Sequence, residues 1–234
     1  MKRFALASIL AALVAFAAPD ATAVTIGLVD TFQGGTTQGW GVPGAHPAPP
    51  ANVADGGPTG AGDGYLKLTA LGGAGPGSRL SVLNSAQWAG DYTAAGVLGI
   101  RMDVFNFGPS DLYLRLLFEA FGDVPNTPPT DLALTSDAVL VRGGSGWQTA
   151  VFPVAAGDLT AVFGTATGAL AGADTLRIFH NPDAAFPGPG SGIPVVTAVL
   201  GVDNITALSA VPEPSSLALL AAGALALLAF RVRR

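Results

Sequence analysis

The sequence predicts an all-β protein, a single antiparallel β-sandwich carried between two membrane-directed ends. Three observations lead there. The clearest periodicity has a repeat of two: Leu112, Leu114, Leu116 and Phe118 are large and apolar, while Tyr113, Arg115 and Glu119 face the other way. Much of the load of 32 glycines and 18 prolines sits in the stretches 34–64, 72–77 and 182–194, which leaves short apolar runs between loops. No segment of the middle region reads as a crossover helix, so the strands must pair antiparallel.

Residues 1–23 read as a secretory signal. Lys2 and Arg3 supply the positive start, Phe4–Ala18 is uninterrupted apolar sequence, and Ala21-Thr22-Ala23 offers a small-x-small cleavage site. Maturation is expected at Val24. Strands are then expected at Tyr65–Leu71, Leu80–Val82, Leu98–Val104, Leu112–Glu119, Ala138–Arg142, Thr149–Val154, Leu176–His180 and Val195–Leu208. Phe107-Gly-Pro-Ser-Asp111 has the length and residues of a turn, so the third and fourth of these are expected to form a hairpin. Asp158–Gly168 has room for a turn or two of helix, which its glycines and β-branched residues discourage. One domain over 24–208 fits the length.

Residues 209–234 form the second terminal segment. An apolar run from Leu217 to Phe230 ends in Arg231, Arg233 and Arg234. As a helix at about 1.5 Å per residue it covers about 21 Å, short of a bilayer core of about 30 Å. A transmembrane helix over about 215–230 is therefore a minimal span. It places the basic tail 231–234 in the cytoplasm and the body outside.

Composition narrows the function of the middle. Between Val24 and Ala210 there are 6 Lys and Arg against 14 Asp and Glu, a net charge of −8. Such a surface argues against nucleic acid, whose phosphates demand basic patches. The chain has no cysteine, which removes disulfides, zinc-thiolate sites and thiol catalysis together.

Val211, Pro212, Glu213 and Pro214, followed at once by the apolar run and the arginines, resemble the PEP-CTERM sorting signal of Gram-negative bacteria. The resemblance covers 211–234. It implies recognition by an exosortase, a membrane-embedded cysteine peptidase, after a signal peptidase has acted on the other end. It also implies delivery to the cell surface or extracellular matrix alongside exopolysaccharide. A permanent anchor and a processed, released protein both remain open.

Within the body, Asp30-Thr-Phe32 with Gly39-Trp40 resembles the opening strand of the galactose-binding-like jelly roll of many carbohydrate-binding modules. Gln87-Trp88-Ala-Gly90-Asp91-Tyr92, Gly146-Trp147-Gln-Thr and Gly201-Val-Asp203-Asn204-Ile205 resemble later phrases of such sandwiches. The resemblance implies that a closing-strand aspartate and an acidic first-strand residue hold a structural Ca²⁺. Asp203 and Asp30 match those positions, with Gln33 where glutamate is frequent, and no other cofactor is implied. The alternative is that Asp203 caps a turn and Asp30 is solvated.

Sugar binding needs an aromatic surface with polar neighbours. Trp40, Trp88 and Trp147 are candidates, although each also suits packing at a strand start. Phe105 and Phe107, with Tyr113 and Arg115 outward on the neighbouring strand, offer a shallow aromatic and cationic platform. Catalysis finds little material. His46 and His180 are the only histidines, no metal-hydrolase or nucleophile-elbow motif occurs, and the single glutamate of the body, Glu119, is expected to face Arg115 as a solvated pair. The reading is therefore non-catalytic: a structural or adhesive surface protein, with a carbohydrate-binding module as the alternative and an extracellular hydrolase the remotest.

Overall fold

The computed structural model describes residues 23–122, 128–185 and 194–211. Twelve strands build it: β1 (Val29–Asp30), β2 (Ala51–Val53), β3 (Tyr65–Leu71), β4 (Ser81–Asn84), β5 (Gly99–Asn106), β6 (Leu112–Ala120), β7 (Asp131–Thr135), β8 (Val139–Val141), β9 (Gln148–Pro153), β10 (Leu159–Phe163), β11 (Thr175–His180) and β12 (Thr197–Leu208). Among the described residues one short α-helix, α1 (Ala166–Ala171), and one 3₁₀ turn, Ala156–Asp158, interrupt them. The strands form two sheets. The first runs β2-β3-β12-β5-β9, with β1 also on β12; the second runs β10-β7-β6-β11-β4, with β8 on β6. Every pairing is antiparallel. The expected sandwich is what forms.

The core lies between the sheets and follows the alternation of the sequence. Leu66, Leu68 and Ala70 of β3, Ile100, Met102 and Val104 of β5, and Ala198, Leu200 and Val202 of β12 point inward from the first sheet. Leu112, Leu114, Leu116 and Phe118 of β6 meet them from the second. A smaller cluster of Leu117, Leu132, Leu134 and Phe179 sits on the outer face of the second sheet. That is why β6 is buried along both faces, the mark of a central strand.

The sequence reading needs three corrections here. The segments expected to form a hairpin do not pair: β5 belongs to the first sheet and β6 to the second, so residues 107–111 cross between layers. Periodicity gives the faces of a strand and leaves its partner open. Asn106 pins this crossing, its amide donating to the Ser110 and Val141 carbonyls while its oxygen accepts from the Gly108 N–H. The segment Asp158–Gly168 opens on the last residue of the 3₁₀ turn (Ala156–Asp158) and then holds strand β10, and α1 begins only at Ala166, capped by the Thr165 hydroxyl accepting from the Gly168 N–H. β2 and β7 were not expected. β2 hides in a glycine- and proline-rich stretch, and β7 is five residues long.

The chain enters and leaves on the same strand neighbourhood. Val24, the expected first residue after maturation, is 2 % exposed and donates its N–H to the Ala89 carbonyl. Gly27 donates to Ala207 near the end of β12, and Val211 packs on Gly99 of β5, where any Cβ would lie 3.0 Å from its methyl. Residues 1–22, the remainder of the sorting motif and the predicted helix 215–230 lie outside the described residues. Among the described residues no helix is long and apolar enough to cross a membrane.

Candidate functional site

Three features of the sandwich gather functional chemistry, and the first turns out to be scaffolding. β1 places Asp30 opposite Ile205, where its side chain turns into the core. Its Oδ2 accepts from the indole N–H groups of both Trp40 and Trp88, each at 2.7 Å, and Gln87 donates to both oxygens at 3.1 Å. The two indoles lie 6.2 Å apart at 47°. One buried carboxylate thus ties the first strand to two segments 10 and 58 residues away. Trp40 and Trp88 are core residues, and the oxygens of Asp30 are already engaged.

The second feature is the outer face of the first sheet. Residues of odd number on β3, on β5 and on β12 as far as Asp203 point there, and Gly201 lies opposite both Lys67 and Phe105. Four rings converge above this glycine. Phe105 stacks on Phe107 at 3.9 Å between centroids, Tyr65 lies 5.8 Å from Phe107, and Trp147 meets Tyr65, Phe105 and Phe107 edge-on at 5.4–6.3 Å. A Cβ on residue 201 would fall 2.8 Å from the Trp147 ring and 2.9 Å from that of Phe107, so only glycine admits the rings this close to the sheet. Trp147 is anchored by its N–H to the Gly56 carbonyl at 3.0 Å, whereas Phe107 remains 41 % exposed.

One row further along the same face the chemistry turns acidic. Asp203 pairs in register with Asp103, and Asp103 with Thr149. Asp103 is satisfied by the Thr149 hydroxyl at 2.8 Å and the Asn204 amide at 3.0 Å. Asp203 is 0 % exposed, and neither of its oxygens makes a hydrogen bond among the described residues. Burial pushes its carboxyl up to about 7; the Asn204 N–H lies near enough to oppose this without reaching bonding geometry, and the charges of Asp63 and Asp103 push further upward. Asn204 itself adopts φ +50° beside an irregularity in the β5–β12 register, which turns this stretch of β12.

The residues expected to hold Ca²⁺ are therefore distributed between two places. Gln33 donates to Asp63 and accepts from the Gly64 N–H, which puts it in the neighbourhood that acts on Asp203. Asp30 belongs instead to the tryptophan hub. Among the described residues no three acidic or histidine side chains converge closely enough to hold a metal ion. A carboxyl poised near neutrality is also what a glycosidic general acid requires. Asp203 has no exposed surface to offer a substrate, so it cannot touch one in this conformation.

The third feature is the outer face of the second sheet, and it separates the expected platform. Phe105 is on the first sheet and Phe107, just past the end of β5, donates its N–H to Val199 of β12, while Tyr113 and Arg115 of β6 are on the second. Arg115, expected outward, is 4 % exposed and donates to four carbonyls, those of Asn181, Thr135, Ser136 and Pro182, at 2.7–2.9 Å. Burial lowers its pKa from the ordinary value, against the raising influence of Asp137 and Asp183. It braces loops and offers a ligand nothing. Glu119 does not face Arg115 either: it forms a buried two-pronged pair with Arg177 of β11 at 2.9 and 3.1 Å. Tyr113 lies 6.2 Å from His180, whose Nδ1 accepts from the Tyr113 N–H and whose burial lowers its pKa. A neutral, half-committed imidazole there is a structural acceptor.

Residues 210–234 match the family described as the PEP-CTERM protein-sorting motif. The chain carries this sorting signal at its C-terminus. No curated protein matches the sequence. Among solved structures, the fold is similar to the solution structure of CtCBM11, with 15 % identity, 80 % of this chain and 98 % of that chain covered and a TM-score of 0.51. It is also similar to part of an exo-β-agarase, with 12 % identity, 81 % of this chain but only 25 % of that chain, and a TM-score of 0.50. A family 11 carbohydrate-binding module from Clostridium thermocellum, in complex with a β-1,3-1,4-mixed-linked tetrasaccharide, aligns at 15 % identity over 81 % of this chain and 99 % of that one, with a TM-score of 0.49. At these identities the likeness concerns fold alone: the body is an antiparallel β-sandwich.

Proposed function

We propose that this is an exported surface or extracellular-matrix protein whose non-catalytic sandwich engages glycan through the aromatic face of its first sheet. Signal peptidase removes residues 1–23, and an exosortase reads Val211–Pro214 once the segment 215–230 has entered the membrane with Arg231, Arg233 and Arg234 behind it. The observation that carries the glycan reading is the four-ring cluster over Gly201. Aromatic rings on a sheet face stack on the apolar faces of sugar rings, and the neighbouring polar groups (Lys67 opposite Gly201, Thr149 one row on) are placed to meet hydroxyls. Phe107 is the ring with the most free surface.

The test is binding of neutral gluco- and galacto-oligosaccharides to the full chain in a detergent without sugar headgroups. Phe107→Ala is expected to weaken the best ligand about tenfold, one stacked ring contributing on the order of 1.4 kcal/mol. Gly201→Val, which displaces the rings, is expected to abolish binding. Affinity unchanged in both variants would transfer the function to the second reading, a matrix component that packs these rings for stability alone. That reading is favoured by the close mutual packing of Tyr65, Phe105 and Trp147.

Processing is tested apart from binding. Mass spectrometry of the protein from its native host is expected to find a C-terminus near Pro214. An intact Arg234 on the surface-exposed pool would mean a permanent anchor and would remove exosortase from the account.

A further inference from the structure

A second recognition site opens on the opposite side of the sandwich, and its chemistry is cationic. The edge strand β4 is flanked by two glycine-rich loops. Gly41 bridges to Leu83 and sends residues 41–46 along the edge, while residues 75–79 rise from the turn after β3. Between them lies a groove of about 320 Å³, at the small end of ligand pockets, which run roughly 300–1,000 Å³. Ser81, Leu83 and Arg177 lie along its β4 and β11 side and share the sheet's outer face by register. His46 and Arg79 belong to its loop walls.

The charge of this groove is opposite to that of the domain. Among the described residues no carboxylate lines it, although the body carries 14 of them against 6 Lys and Arg. Two of those six cations are here. Arg177 is held rigid by Glu119 at 2.9 Å and touches the Ser81 hydroxyl at 3.3 Å, so its own charge is balanced. Arg79 is exposed, and among the described residues it makes no hydrogen bond or ion pair. His46 accepts from the Ala48 N–H at Nδ1, which leaves Nε2 to donate. An unspent guanidinium beside a hydroxyl and an imidazole donor is an arrangement for a planar anion with hydroxyl neighbours.

The geometry points to a binding site for a carboxylated sugar, a uronate unit whose carboxylate meets Arg79 and whose hydroxyls meet Ser81 and His46. It stands independently of the aromatic face on the other sheet. In an acidic protein one compensated groove of this kind selects for charge position, because the rest of the surface repels the polyanion.

The experiment is calorimetric titration of the full chain, in detergent without sugar headgroups, with a galacturonate tetrasaccharide and with the neutral galactose tetrasaccharide of the same linkage. The uronate is expected to bind about tenfold tighter at low salt, the worth of one charge-assisted contact, and to lose that advantage toward 0.5 M salt. Arg79→Gln should bring its affinity within about twofold of the neutral sugar. Ala45→Trp, which fills the groove and leaves the charge, should do the same. Phe107→Ala should leave uronate binding unchanged, which separates this site from the aromatic face. Equal affinity for the two tetrasaccharides, or an Arg79→Gln protein that binds uronate as the wild type does, would overturn the assignment.

Discussion

Asp30→Ala is expected to remove about 3–5 kcal/mol of stability, measured as a lower urea midpoint with an unchanged slope. The effect is large because one carboxylate serves three donors. Its removal strands the indole N–H groups of Trp40 and Trp88 in the core and frees the Gln87 amide. Each buried donor left without a partner costs about 1–3 kcal/mol. Asp30→Asn keeps the volume and one acceptor oxygen, so about half the loss is expected. A loss below about 1 kcal/mol for the alanine variant would mean that both indoles find other acceptors. The same substitution also separates the expected calcium role of Asp30 from the hub that the structure shows. A calcium ligand would respond to chelator, whereas a hydrogen-bond hub gives the same loss with and without it.

What the sequence made legible follows from which forces act locally. The alternation in β3, β5 and β6 reveals itself because burial on one face writes a period of two into the residues. Tyr65–Leu71 is read with the bounds that form, and β12 is shortened by only two residues. Partner choice is different. Leu98–Val104 and Leu112–Glu119 look like a hairpin because a short turn joins them, yet each finds better partners farther off: β5 lies between β9 and β12, and β6 between β7 and β11. Such pairing is a property of the whole sandwich. Nothing in residues 107–111 announces a crossing, except in hindsight the buried Asn106 whose amide needs three partners.

The candidate sites were legible in part for the same reason. The outward register of Phe105 and Phe107 was readable, and Trp147 joins them because Gly201 leaves space. That space depends on a residue from a strand nearly 100 positions away from Phe105. Arg115 shows the converse. Its place in the alternation is outward as expected, but the outer face of β6 is itself covered, and no periodicity records what lies over a sheet. Asp30 drew attention as a metal ligand, but its role as acceptor for two indoles gave no signal: an aspartate followed by two distant tryptophans has no pattern until the fold closes them on it.

Asp203→Asn is expected to flatten a pH dependence, and the sign follows from its environment. In the unfolded chain this carboxyl ionises near its ordinary 3.8; in the fold, burial holds it at about 7. Between those values the folded protein keeps a proton that the unfolded chain has lost, so stability falls as pH rises. The contribution is fully present below about pH 4 and is lost above about pH 7, in total on the order of 4 kcal/mol. The asparagine variant has no proton to lose. Its stability relative to wild type, by urea unfolding in chelator, should rise steadily from pH 4 to 7 and then level off. Parallel curves across that range would show that Asp203 ionises normally in the fold. A proton and a hard cation are the two partners that satisfy such a carboxylate. With Asp30 spent on its tryptophans and no third ligand converging among the described residues, the proton is the partner this geometry favours. Millimolar calcium at pH 8 is accordingly expected to leave the wild-type melting temperature unchanged. A calcium-dependent rise that disappears in Asp203→Asn would assign the position to the ion.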